Sequence, residues 1–406
     1  MFFLTLGIML LGGGLLGFLF TKIRLPALLG YLLLGILMGY FGLVDAGILK
    51  YSAEIRKIAL IIILLKAGLS LNLKDLKKVG RPAILMSFVP AISEMTAVGI
   101  IAHYLFGISF VESFLLGSVL GAVSPAVVVP RMTKMMKEGY GTDQGIPELI
   151  TAGSSMDDIV MIVFFNSFLT VEQGGSLSAM TFLNIPISIV SGIAAGIGLG
   201  FLLALLFNNV HMRDSLKLIL ILGVVFLLVY LESFLAKWFS FSSLLSAITM
   251  GIVLLFKAPV SSPRIANKCD RLWTVSEIFL FVLVGASLKV AYFGTYFLPA
   301  LLLIVCSLLI RSIAVQACLI KTPFNKEEKA FVCISYLPKA TVQAALGGTL
   351  LDLATALGNE SMQKAGIIVL SVSVVYILVT APVSAFVMDL TYKKLTRKSF
   401  LSPVQE

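Results

Sequence analysis

Apolar residues occur along this chain in thirteen runs separated by short polar segments. Most runs are close to 20 residues long, the length at which an α-helix crosses about 30 Å of hydrocarbon. They lie near residues 1–20, 25–44, 55–71, 83–106, 110–130, 146–170, 181–208, 215–232, 238–257, 272–291, 296–320, 328–351 and 365–391. The pattern predicts an all-α polytopic membrane protein with about 13 transmembrane helices.

Basic residues divide the connecting loops into two groups. When basic residues at the ends of the runs are counted with the adjoining loops, the odd-numbered loops and the C-terminal tail hold 22 of the 31 Lys and Arg residues, whereas the even-numbered loops hold six. Cytoplasmic loops of membrane proteins are enriched in Lys and Arg. We therefore expect a multi-pass protein of the plasma or inner membrane, with its N-terminus outside and its C-terminus in the cytoplasm.

Composition excludes two other classes of protein. Hydrophobic residues make up 59% of the 406 and charged residues only 13%, whereas a soluble domain carries roughly 25% charged residues. The net charge of +10 is concentrated in loops, where it orients helices, so no nucleic-acid partner is expected. Membrane lipids are the expected surroundings. The four cysteines lack CxxC spacing and predict no disulfide framework.

Two halves of the chain resemble each other at a nearly constant offset. PALLGYLLLGIL (26–37) resembles SSLLSAITMGIV (242–253), and LLKAGLSL (64–71) resembles FVLVGASL (281–288), at offsets of 216 and 217 residues. SPAVVVP (124–130) lies opposite LPKATVQ (337–343) at an offset of 213. Each offset is a displacement of seven spans, and an odd displacement reverses the direction of every helix. The chain therefore contains an inverted repeat, an architecture of secondary transporters.

Prolines lie at matching places in both halves. Pro125 and Pro130 fall in the fifth span and Pro338 in the twelfth. Each removes a backbone donor and leaves carbonyl groups unpaired, which is tolerable at that depth only inside protein or beside a cavity. We interpret these prolines as breaks in two helices that cross near the middle of the membrane.

Five ionisable residues are expected deep inside spans, where each costs about 2.5–3.5 kcal/mol on insertion scales and is functional by default. Asp157 and Asp158 lie in the sixth span, Lys339 beside the break in the twelfth, Glu94 in the fourth and Arg311 in the eleventh. Glu94 and Arg311 are separated by 217 residues and so occupy equivalent repeat positions. We expect these two to form a buried ion pair.

The two adjacent aspartates suggest how the chain could work. Adjacent residues on a helix point about 100° apart, so one aspartate can hold a protein cation such as Lys339 while the other faces a water-filled cavity. There a proton and a monovalent metal cation compete for one carboxylate. With alternating access, this competition is antiport. Asp157 and Asp158, with Ser155 in the same turn, are the predicted ion and proton ligands.

Three segments resemble the monovalent cation/proton antiporter superfamily, and in particular its NHA-type branch of sodium/hydrogen exchangers. They are GAVSPAVVVPRM (121–132), GSSMDDIV (153–160) and SYLPKATVQAALG (335–347), and the wider resemblance runs from about Leu25 to Ala385. The resemblance implies a sodium/proton antiporter-like fold, a homodimer and a core that moves like an elevator.

The family pattern also implies individual roles. Asp158 is the main carrier of ion and proton, and Asp157 contacts Lys339. Glu94 and Arg311 match a buried acid–arginine pair. The paired aspartates resemble the electrogenic type of antiporter, although this motif is an imperfect guide to stoichiometry in this branch.

The apolar runs, together with the family resemblance, imply the domain boundaries. Residues 1–392 form a single transmembrane transporter unit, and 393–406 form a short cytoplasmic tail. Within that unit, spans 1–3 and 8–10 are expected to form a dimerisation domain. Residues 83–170 and 296–392 are expected to form the ion-translocating core.

Other functions remain as alternatives. The nearest is a sodium-coupled symporter of a small organic anion, because such proteins also use inverted repeats with crossed helices. A channel is less compatible with buried carboxylates at interrupted helices. The chain is not expected to be an enzyme or to need a cofactor, since it has no His/Cys cluster and no nucleophile elbow. The sequence does not distinguish sodium from lithium or potassium.

Overall fold

The computed structural model describes residues 1–70, 80–172, 179–235 and 241–398. The predicted spans 55–71 and 238–257 and the predicted tail 393–406 extend partly outside these ranges. The described chain is almost entirely α-helical. Its helices are α1 (Phe2–Lys22), α2 (Ala27–Tyr40), α3 (Ala46–Lys50), α4 (Ser52–Ser70), α5 (Arg81–Met86), α6 (Val89–Phe106), α7 (Phe110–Gly121), α8 (Pro125–Glu138), α9 (Ile146–Glu172), α10 (Ala179–Asn209), α11 (Asp214–Leu235), α12 (Ser243–Lys257), α13 (Ser262–Ser287), α14 (Val290–Cys318), α15 (Lys326–Ser335), α16 (Thr341–Leu346), α17 (Thr349–Leu357) and α18 (Glu360–Leu395).

Eight helical segments in the described ranges are long and apolar enough to cross a membrane. They are Phe2–Lys22, Arg81–Phe106, Phe110–Glu138, Ile146–Glu172, Ile187–Asn209, Asp214–Leu235, Gly294–Cys318 and Glu360–Leu395. Three shorter apolar helices lie at Ala27–Tyr40, Ser243–Lys257 and Thr341–Leu357. The all-helical membrane class is confirmed, but the count of about 13 is not, because α2 and α12 are short and α4 and α13 carry several charged residues.

Helix packing divides the described chain into two compact units. The first comprises 1–53, 80–162 and 278–398, and the second comprises 54–70, 163–172, 179–235 and 241–277. In the first unit α6 packs against α7 and α14, and α18 packs against α14, α15 and α17. In the second, α12 packs against both α10 and α11. All the residues predicted to bind ions lie in the first unit.

Two helices of the first unit are interrupted where the prolines predict breaks. Helix α7 ends at Gly121, and after an extended segment α8 begins at Pro125, a position where the missing N–H is harmless. Helix α15 ends at Ser335, and α16 begins only after Pro338. The two breaks touch, because the Ser124 N–H donates to the Pro338 carbonyl at 2.9 Å. The predicted pair of crossed, interrupted helices is therefore present.

Pro130 is not a helix break. Helix α8 continues through it to Glu138, so the prediction for this proline was wrong. A proline inside a helix removes one hydrogen bond, here the one to the Ala126 carbonyl, and the remaining bonds hold the helix together. Pro125 and Pro338 alone mark the interruptions.

Two close helix contacts are made by glycines that the inverted repeat relates to each other. In the first unit, a Cβ placed on Gly285 would lie 3.0 Å from the Cα of Gly35. In the second unit, a Cβ placed on Gly251 would lie 3.1 Å from the Cα of Gly68. The repeat pairs Gly35 with Gly251 and Gly68 with Gly285, so it maps one close helix contact onto the other. This agreement supports the inverted repeat independently of sequence similarity.

The C-terminal end of α18 is attached to both interrupted helices. The Tyr392 hydroxyl donates to Glu138, the last residue of α8, at 2.7 Å. The Gly141 N–H donates to the Arg397 carbonyl at 2.8 Å, and Arg397 Nε lies 3.5 Å from Glu328 in the first turn of α15. These contacts fix the outer ends of the half-helices whose inner ends meet at the crossing.

Candidate functional site

Asp157 lies on the buried side of α9 against the break after α7. Its side chain is fully buried. The Val123 N–H donates to its two carboxylate oxygens at 3.3 and 3.4 Å. A short stretch of extended backbone is needed for this contact, because an N–H inside a helix is already bonded to the carbonyl four residues earlier.

Arg311 connects the acidic side chains to both breaks. Its Nη1 lies 2.7 Å from Glu94 Oε2, and its Nη2 lies 2.8 Å from Asp157 Oδ2. Its Nε donates to the Tyr336 carbonyl at 2.7 Å, and Nη1 also donates to the Gly121 carbonyl. Glu94 and Arg311 thus lie in contact, and Arg311 has Asp157 as a second anionic partner.

Lys339 lies next to Glu94 rather than Asp157. Its Nζ is 2.6 Å from Glu94 Oε2 and 3.3 Å from the Gly121 carbonyl oxygen. Its backbone N–H donates to Thr380 Oγ1 at 3.0 Å. The family pattern implied a contact between Lys339 and Asp157. In the described chain, the basic side chain that contacts Asp157 is instead Arg311.

Asp158 differs from its neighbour because it forms no ion pair within 4 Å among the residues that the structure describes. The residue is 7% exposed, and its Oδ1 has no hydrogen-bond partner in the part of the chain that the structure describes. Ser155, one turn earlier, donates its hydroxyl to the Thr151 carbonyl at 2.9 Å. Its oxygen therefore keeps acceptor capacity.

The buried charges at the crossing do not balance. Three carboxylates and two basic groups are at most 7% exposed here: Glu94, Asp157, Asp158, Arg311 and Lys339. With all five ionised, the cluster carries one net negative charge. Burying a charge without compensation is strongly unfavourable, so the cluster is suited to take up one further positive charge, either a proton or a monovalent cation.

Polar neighbours that sequence reasoning missed hold Glu94 in place. Ser307 donates its hydroxyl to Glu94 Oε1 at 3.4 Å and lies 2.9 Å from the Tyr376 hydroxyl. Both residues lie within apolar spans, where serine and tyrosine are common. The sequence indicates only that these two residues lie inside predicted spans, as Glu94 and Arg311 do.

Comparison with known proteins decides the family. The family model of the transmembrane sodium/hydrogen exchangers matches residues 7–389. The chain belongs to the sodium/hydrogen exchanger family. This confirms the resemblance to monovalent cation/proton antiporters. Proteins of this family are transporters rather than enzymes and use no cofactor.

Relatives of this exchanger-family chain match over nearly its whole length. Sodium/hydrogen exchanger 9B2 of Xenopus tropicalis is 34% identical over 96% of this chain and 74% of that protein. The human protein of the same name is 34% identical over 96% and 73%, and human sodium/hydrogen exchanger 9B1 is 30% identical over 93% and 73%. These similarities do not favour the alternative of an organic-anion symporter.

A solved structure shares the fold of this exchanger-family chain. The sodium proton antiporter MjNhaP1 from Methanocaldococcus jannaschii at pH 8 matches with a TM-score of 0.82 and 22% identity. The match covers 96% of this chain and 97% of that one. The predicted antiporter-like fold is therefore confirmed.

Proposed function

We propose that this protein exchanges a monovalent cation, sodium or lithium with potassium as a further candidate, for a proton by alternating access. Asp158 is the carboxylate that binds the two ions in turn, and Asp157 and Ser155 complete the site. The observation that carries the proposal is the buried Asp158 side chain, which has an unpaired oxygen and no cationic partner in the described chain. Family membership supports it.

The surrounding charges give Asp158 its role. Arg311 compensates Asp157, and Lys339 lies on Glu94, which leaves Asp158 as the carboxylate that needs a charge from solution. A proton and a sodium ion cannot occupy the same oxygen together. Binding of one therefore displaces the other, and opening the site to each side alternately couples their movements.

The assembly and orientation form part of the same proposal. We place the N-terminus outside and the C-terminus in the cytoplasm, following the distribution of Lys and Arg. We further propose a homodimer that contacts its partner through spans 1–3 and 8–10. The core, residues 83–170 and 296–392, then carries the ion across by an elevator-like movement.

Reconstitution into liposomes tests the proposal. Purified protein in vesicles that enclose a pH-sensitive dye is challenged with sodium, lithium and potassium in turn. We expect alkali-cation addition to drive proton movement in the opposite direction, and the rates to rank the three cations. Sodium uptake without proton movement would instead support the symporter.

Replacing Asp158 tests the assignment of the site. Asp158→Asn keeps the size and polarity of the side chain but removes the group that binds either ion, so we expect exchange to vanish while membrane insertion survives. The matched control is Asp214→Asn on α11, where Asp214 forms a peripheral ion pair with Arg264 at 3.6 Å. Exchange at the wild-type rate in Asp158→Asn would refute the assignment.

A further inference from the structure

We propose that Gln343 is a positioning residue for Asp157 and acts through the peptide bond between Ala122 and Val123. The proposal rests on the function proposed above, since it concerns the same ion site. It assigns a role to a side chain that carries no charge and does not touch either aspartate itself.

Gln343 lies in the first turn of α16 and is fully buried. Its side-chain Nε2 donates to the Val119 carbonyl at 2.9 Å and to the Ala122 carbonyl at 3.0 Å. Both carbonyls lie at the C-terminal end of α7, where a helix leaves its last carbonyl groups without partners. One amide group from the second half of the repeat therefore satisfies two carbonyls of the first half.

The peptide bond between Ala122 and Val123 transmits this contact to the aspartate. In a planar trans peptide the C=O and the N–H point in opposite directions. The Ala122 carbonyl faces Gln343, and the Val123 N–H on the other side of the same peptide faces the Asp157 carboxylate at 3.3 Å. Hydrogen bonds in such a series polarise one another in a buried environment. Gln343 thus holds this peptide with its donor towards Asp157.

Loss of the Gln343 amide would change the ion site and not only its stability. The segment between α7 and α8 is not helical, so no helical hydrogen bond would keep the peptide in its orientation. A rotated peptide would withdraw an N–H from Asp157 and turn a carbonyl oxygen towards it. Since carbonyl oxygens bind alkali cations and repel carboxylates, the affinity for the transported cation should change.

Gln343→Met tests this inference. Methionine has a similar length but no donor. The matched control is Gln316→Met on α14, where Gln316 contacts Cys333 Sγ at 3.1 Å and is exposed. We expect Gln343→Met to shift the apparent KM for sodium by about tenfold, the consequence of leaving buried acceptors unpaired, with a smaller change in kcat. We expect Gln316→Met to behave as the wild type.

A double replacement tests the route through Asp157. Sodium affinity is measured as sodium-dependent thermal stabilisation of the purified protein. If Gln343 acts through Asp157, Gln343→Met should have little effect on sodium affinity in an Asp157→Asn background, because coupled residues are not additive. Full additivity of the two replacements would overturn the proposal.

The outcomes separate this inference from the proposed function. If the wild type exchanges no sodium for protons, the proposed function fails. If the wild type exchanges and Gln343→Met keeps its KM within about twofold of Gln316→Met, the role of Gln343 is refuted. Should Gln343→Met not fold, Gln343→Leu gives the same test, because a leucine side chain is also uncharged and cannot donate to the two carbonyls.

Discussion

At the scale of single residues, the site depends on the donor geometry of Arg311. A guanidinium offers five N–H donors in a fixed planar arrangement. Here they reach Glu94, Asp157 and the carbonyls of Tyr336 and Gly121 at once. A lysine ammonium could not satisfy four partners in these directions. Arg311 therefore joins helices α6, α9 and both breaks into one buried network.

Arg311→Gln should destabilise the protein strongly. Removing one partner from a buried ion pair costs about 3–5 kcal/mol, and Arg311 has two anionic partners. The matched control is Arg264→Gln, because Arg264 pairs with Asp214 at 3.6 Å and its side chain is 58% exposed, a setting in which an ion pair contributes about 0–1 kcal/mol. Thermal unfolding of both purified variants measures the difference. Equal losses would contradict the central role of Arg311.

Replacing Glu94 together with Arg311 should not restore stability. Exchanging both members of an isolated buried pair for neutral groups can be nearly neutral. Here the double variant Glu94→Gln/Arg311→Gln would remove the anionic partner of Lys339 and the cationic partner of Asp157. Full recovery of the thermal midpoint would show that Glu94 and Arg311 form an independent pair rather than part of a network.

At the scale of helices, close packing depends on glycines at particular contacts. A Cβ on Gly285 would overlap the Leu32 carbonyl oxygen and approach the Ile36 backbone nitrogen to 2.8 Å. Gly198 on α10 has open space around it, because a Cβ placed there would meet no heavy atom within 4 Å in the described chain. Glycine therefore allows close helix packing at the first of these positions, whereas the second is surrounded by open space.

Replacing these two glycines by alanine should change stability in opposite directions. Gly198→Ala should stabilise by about 0.5–1 kcal/mol, because glycine weakens a helix interior. Gly285→Ala should destabilise, because the backbones of α2 and α13 must move apart. Thermal midpoints in the same detergent measure both effects. A stabilised Gly285→Ala variant would show that these helices are not in close contact.

At the scale of the whole molecule, the charge balance of the site bears on stoichiometry. Paired aspartates resemble the electrogenic type of antiporter, but the contacts favour another outcome. An arginine keeps its proton at any physiological pH, and it is Arg311 that compensates Asp157. Asp158 is the carboxylate without a cationic partner in the described chain. Replacing one proton by one sodium ion on Asp158 leaves the total charge of the site unchanged.

We therefore predict one-for-one, electroneutral exchange. In liposomes at a fixed pH difference, an imposed membrane potential should not shift the sodium gradient reached at equilibrium. The Asp158→Asn variant, measured in parallel, corrects for leakage. A shift that grows with the potential would mean that a second proton moves in each cycle, and Lys339 would be the first group to test as its source.

The amino-acid sequence alone identifies the class of protein and the depth of its functional residues. Apolar runs of membrane-spanning length leave no soluble alternative, because each backbone polar group in lipid must be paired within the chain. The offset between repeats placed Glu94 and Arg311 at matching depths, and Pro125 and Pro338 at the interruptions. Ionisable side chains inside apolar spans indicated that Asp157 and Asp158 are functional residues. These inferences depend only on position along a helix axis.

Which side chains are in contact depends on the packing of the helices in three dimensions. Sequence gives the depth of a side chain but not the direction in which its helix is turned. Hydrogen bonds and buried ion pairs are lost within about 1 Å of misplacement. For this reason Arg311 rather than Lys339 was found on Asp157, and Pro130 inside a continuous helix. The role proposed for Gln343 could not be predicted from the sequence, because it depends on a contact between two distant segments of the chain at one peptide bond.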